Sequence, residues 1–157
     1  MITKIKGYLK TLCADITGLA SSAIITDLTE EIGDMLPPYV VILSGDGGVT
    51  PIFERALDSR FKNREVYRKY SVTQPVTVAF GAEDEASATA WRETFLARLA
   101  KRMVDGDVFI EVSPEAIRQT DNVSAIRSHF AAAVEIAFSY MVYLSAEELA
   151  VMTVSLD

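Results

Sequence analysis

One cysteine, one histidine and one tryptophan occur in the 157 residues, and the first two scarcities exclude whole classes of chemistry. Cys13 alone cannot close an intrachain disulfide, which fits a reducing cytoplasm. With one Cys and one His, the usual zinc ligand sets cannot be assembled. No apolar run approaches the roughly 18–20 residues of a membrane span. Lys4, Lys6 and Lys10 are not followed by the apolar block of a signal peptide, so no membrane partner is expected. No Gly-x-Ser-x-Gly elbow is present. Basic residues are scarce towards the end of the chain: residues 105–157 hold only Arg118 and Arg127 against nine acids, a net of −7.

What is present reads as one domain. Half the residues are apolar and 24% are charged, the composition of a globular chain able to bury a core. The central stretch runs strand, turn, helix, strand. Val72, Val76, Val78 and Phe80 alternate along one side of an extended segment. Gly81 breaks it, and Glu83-Asp84-Glu85 place acids where a helix N-terminus carries partial positive charge. Ala88, Trp91, Phe95, Leu99 and Met103, widened by Leu96, then form one helical stripe over 86–103. Lys101 and Arg102 suit the end of that helix, and Gly106 suits its stop. Alternation resumes from Asp107 to Val112.

Around this unit, Ile5, Leu9, Leu12, Ile16 and Leu19 predict a first helix over 3–19. The segment 21–28 reads as strand or loop, and 30–35 as a helical turn or a connection. Tyr39-Val40-Val41-Ile42-Leu43 is an internal strand. The glycine-rich Ser44-Gly45-Asp46-Gly47-Gly48 lacks the Gly-Lys-Ser/Thr of a phosphate cradle and reads as a flexible loop. Ser113 to Ile117 reads as a connection and 118–122 as a loop or strand end. Val134, Ile136, Phe138, Tyr140 and Val142 mark a long strand to Leu144, and Ser145-Ala146-Glu147-Glu148 matches a capping box.

Residues 53–70 carry the sharpest charge contrast. Arg55, Arg60, Lys62, Arg64, Arg68 and Lys69 stand against Glu54, Asp58 and Glu65, a net of +3. The segment reads as an extended arm or a hairpin whose return strand is 71–80. Basic residues interleaved with aromatics also suit single-stranded nucleic acid. A net charge of −7 for the whole chain disfavours nucleic acid as the default partner. A basic arm and an acidic half suit head-to-tail contact between copies instead. His129 reads as a surface or strand-edge residue, Cys13 as a small core or boundary residue, and Asp105-Gly106-Asp107 as a turn closing a helix rather than a calcium loop. No catalytic, cofactor or metal residue is assigned.

The order helix, strand, glycine-rich loop, basic arm, strand, helix, strand, long strand resembles the tail-terminator or tail-completion proteins of long-tailed bacteriophages. That family includes the minor tail protein U-like group and related Mu-type prophage tail proteins. The resemblance is carried by Tyr70-Ser71-Val72-Thr73-Gln74-Pro75-Val76-Thr77-Val78, the helix 86–103, and the strands 108–112 and 134–144. It implies a single α+β domain with two main helices on one face of a largely antiparallel or mixed sheet. It further implies a structural, non-enzymatic protein of the virion tail, present in the host cytoplasm during assembly. Such proteins form homo-oligomeric rings, often hexamers, that contact the tail tube protein and a head-completion protein, with DNA passing through the lumen. The basic arm residues Arg55, Arg60, Lys62, Arg64, Arg68 and Lys69 would then face a neighbouring subunit or the tube. The alternative from residues alone is a small α+β ligand-binding or enzymatic domain.

Overall fold

A computed structural model describes residues 1–27, 36–58, 64–120 and 130–145. The elements are α1 (Ile2–Thr17), a 3-10 turn (Ser21–Ala23), β1 (Ile24–Ile25), β2 (Tyr39–Ser44), β3 (Gly48–Asp58) and β4 (Arg64–Ala82). They continue with α2 (Glu85–Arg98), β5 (Arg102–Asp105), β6 (Val108–Thr120) and β7 (Phe130–Ser145). The architecture is α+β, with two helices against one curled, mixed sheet. The strand order is β1-β2-β4-β7-β6-β5, and β3 also pairs with β4. Among the described residues β1 and β2 alone pair in parallel, and the remaining pairings are antiparallel.

The alternating positions of four strands meet one face of each helix. Val40 and Ile42, Val76, Val78 and Phe80, Val134, Ile136 and Phe138, and Ile110 and Val112 pack with Ile5, Leu9, Leu12, Cys13 and Phe95. Phe80 and Phe95 meet edge-on, with ring centroids 5.5 Å apart, a geometry that adds to their burial. Trp91 is half-buried over the same core and over the small residues Ala82, Ala88 and Ala132.

The helix ends follow from local chemistry. Gly18 closes α1 with φ 69°, a left-handed turn that a glycine enters without strain. The Asp84 carboxylate accepts from the Ser87 N–H and the Ser87 hydroxyl, both at 2.7 Å, and caps α2 as its acidic start implied. Those two bonds hold its carboxyl below the usual range. At its other end α2 stops at Arg98, short of the expected 103. The backbone turns extended at Leu99, and the Ala100 N–H donates to the Tyr8 hydroxyl at 2.8 Å. Met103 still reaches the core, but from β5, opposite Ile110. The three- and four-residue spacing fits both routes. Asp105-Gly106-Asp107 is accordingly the turn between β5 and β6, with Gly106 at φ 59°, and not the end of a helix.

A second correction concerns 113–117, which lies within β6 rather than in a connection. Pro114 is accommodated at a register shift between Pro114 and Ala116 on a stretch that β5 does not pair. An edge strand at an irregularity is where a proline is tolerated.

The glycine-rich stretch has a structural reason. β2 and β3 run in the same direction along the same edge of β4, from Tyr39 opposite Gly81 to Asp58 opposite Arg64. They form one strand interrupted at 45–47, where β4 carries Pro75. The Pro75 carbonyl accepts from the Gly45 N–H at 3.0 Å, so the missing Pro75 N–H faces the same break. Gln74 Nε2 donates to the Gly45 carbonyl at 2.7 Å. A Cβ on Gly45 would stand 3.2 Å from Pro75 Cγ, and one on Gly47 3.1 Å from the Thr73 carbonyl. The glycines are a close fit to β4, and a free loop is not what the stretch forms.

The face turned away from α1 and α2 is closed along its centre by Tyr39, Val41, Ala79, Ala131 and Ala137, all buried. The Tyr39 ring lies directly over Gly81, where a Cβ would come 2.2 Å from Tyr39 Cζ. Gly81→Ala is therefore expected to cost about 1–3 kcal/mol by overpacking, read as a lowered urea midpoint at unchanged slope. Arg92 provides the opposite case. It is 8% exposed beneath α2, and its Nε and Nη1 have no hydrogen-bond partner among the described residues. Two buried N–H-bearing nitrogens without a partner among the described residues oppose folding, so Arg92→Met should leave stability unchanged or raise it by roughly 1–3 kcal/mol in the same titration.

Candidate assembly surface

β4, β7 and β3 extend beyond the helices as an arm. Its backbone register places Arg55 opposite Tyr67, Arg64 opposite Asp58 and Arg68 opposite Glu54. On the other side of β4, Arg68 stands opposite Tyr143. β3 and β4 pair antiparallel, and β4 begins at Arg64 where the sequence suggested a return strand from 71. Lys69 falls at the register shift between Arg68 and Tyr70, with its ammonium 5.1 Å from the Tyr70 ring centroid. Arg60 and Lys62 lie outside the described residues, as do His129, the segment 30–35, the capping box beyond Ser145 and the final residues.

The structure joins Arg68 to residues that the sequence had placed elsewhere. An open depression of about 290 Å³ on the face turned away from α1 and α2 is lined by Arg68, Ser71, Arg102, Phe109, Glu111, Ser139, Tyr140, Met141 and Tyr143. The register accounts for this company. Arg102 pairs with Glu111, Glu111 with Ser139, and Ser139 with Thr73, forming one row across four strands. Thr73 and Ser139 lie with their hydroxyl oxygens 3.3 Å apart. In the next row Val104 stands opposite Phe109. Val104 is 63% exposed and Phe109 38% exposed. The Arg102 guanidinium lies 5.6 Å from the Phe109 centroid and 3.9 Å from a Glu111 oxygen. Aromatic, methionine and arginine side chains at a partly solvated surface are the composition of a protein contact. A signal for Phe109 was available in its alternation with Ile110, which put the phenyl ring on the outward side. The helical assignment of Arg102 concealed its neighbour.

Polar pairs fix the rest of this face and its margins. Arg118 Nε lies 2.7 Å from Glu135 on the adjoining strand, and Lys4 pairs with Asp105 at the β5 turn. Among the described residues no cluster of three or more His, Cys, Asp or Glu side chains is placed to hold a metal ion. No described helix is long and apolar enough to cross a membrane. No known family model matches the chain, and no curated protein matches it.

Cys13 is a core residue, as its helical context indicated, and burial pushes its thiol from the ordinary 9.0 to about 12. The unfolded thiol ionises first, so stability is full below about pH 9 and falls as pH rises towards 12. Wild type should lose stability across that window more steeply than Cys13→Ala, and native Cys13 should resist iodoacetamide at pH 8 until the chain is unfolded.

Proposed function

We propose that this protein is a structural tail protein of a bacteriophage or prophage. It caps the tail tube, ends tube polymerisation and forms part of the head–tail joint as a homo-oligomeric ring. Its partners are further copies of itself, the tail tube protein and a head-completion protein, and DNA passes through the ring. The observation that supports this reading most is the sheet that outruns its helices. The arm of β3, β4 and β7 offers backbone and basic charge to a neighbour, and Val49, Val104 and Phe109 remain in contact with water. A chain that works alone has little use for such a surface.

Light scattering coupled to size exclusion tests the reading across protein concentration. A ring-sized species that grows with concentration is expected. A strict monomer at every concentration, with and without tail tube protein, would overturn it and favour a ligand-binding domain. Within the ring, reversing Arg60, Lys62 and Arg64 to Glu should shift the population towards monomer. An unchanged oligomer would remove these three residues from the interface.

A further inference from the structure

We infer that the depression between β4, β5, β6 and β7 receives an acidic turn from a second copy of this chain, the Glu83-Asp84-Glu85 segment that opens α2. This rests on the self-assembly reading above and names the contact that would carry it.

The chemistry of the depression selects the occupant. Phe109, Met141 and Val104 provide an apolar floor and margin, and Arg68 and Arg102 bring positive charge to its two sides. Arg102 makes one long ion pair with Glu111, both side chains being well exposed, so most of its five donors remain for another carboxylate. Ser71 and Ser139 add hydroxyls, and Tyr143 lines the far wall. The depression is shallow and open, which suits a turn of a macromolecule better than a small metabolite.

The topology supplies the source of the carboxylates. Glu83, Asp84 and Glu85 are all exposed and follow directly on Ala82, the last residue of β4. Ser71 lies on the same strand eleven residues earlier, a separation of roughly 36 Å along an extended chain. The acidic turn therefore cannot reach the depression of its own molecule. The two complementary features sit well apart along one strand, the depression near its first half and the acidic turn just past its end, and such separation lets identical chains join head to tail. Asp84 is already committed as the cap of α2, so Glu83 leads the carboxylates offered across the contact.

Charge exchange between variants tests this. Arg102→Glu and the double variant Glu83→Lys/Glu85→Lys should each weaken self-association about 10-fold or more at low salt, measured by sedimentation velocity. Mixing the two variants should restore assembly, because opposite charges again meet across one interface. Val104→Ser should weaken association without lowering the midpoint of unfolding, since Val104 is mostly exposed. The contact is overturned, and the ring reading left standing, if wild type assembles and both charge variants assemble equally well, or if the mixture recovers nothing. A wild type that stays monomeric would overturn the ring reading and this contact together.

Discussion

The pairing of β4 with β7 is the constraint on which the rest of the structure depends. It runs from Val66 opposite Ser145 to Ala82 opposite Phe130 with one register shift. Three further strands are laid against these two, β2 and β3 in tandem on β4 and β6 on β7, and β1 and β5 are added outside them on β2 and β6. The lengths then decide the shape. A strand of 19 residues extends about 60 Å, whereas the 14 residues of α2 extend about 21 Å. Two helices lying side by side cannot cover a sheet of that length. The arm is a geometric consequence of the long pair, and it needs no special sequence to make it protrude.

The same pair explains two features that otherwise look unrelated. A proline in a central strand removes a hydrogen-bond donor, which β4 tolerates because Pro75 faces the break between β2 and β3. The glycines of that break then let the chain pass close over Thr73, Gln74 and Pro75. At the far end, the alanines of β7 and Gly81 of β4 make room for the Tyr39 ring. Small residues and one proline thus do what side-chain bulk does elsewhere. They allow an uninterrupted β4 to carry two short strands on one edge and a long one on the other.

Much of this was legible in the sequence, and the exceptions have physical causes. The α+β class was what the resemblance implied, and the first helix, the β2 run, the start of α2 and the long β7 followed from periodicity and from the acids Glu83, Asp84 and Glu85. Periodicity failed at Met103, because a residue four places beyond Leu99 faces the core by a helix or by a reversed strand. Propensity failed at Pro114, because a single sequence does not reveal that its stretch of β6 has a free edge. The candidate surface was less legible still. Arg68 was singled out by charge, but Arg102, Phe109 and Met141 become its neighbours only through the registers of three strand pairs. No local signal encodes a row that crosses four strands.

The part of the sheet beyond the helices carries the argument for assembly. On its helix-side face, Val49 lies opposite Val72, and Val72 opposite Tyr140, with Val49 largely in water. On the reverse face, Val104 and Phe109 form an exposed pair beside Arg102. A solvated antiparallel sheet ordinarily alternates apolar and polar sides, yet here both sides keep apolar groups at the surface. Burying such a pair recovers about 25 cal/mol for each Å² removed from water, and a head-to-tail contact recovers it at every copy. The acidic turn and the arginine-flanked depression would then set orientation more than strength, because exposed charge pairs contribute little energy but penalise mismatched partners. Apolar exposure on β3, β5 and β6 would drive association, and the separated acidic and basic charges would choose the direction.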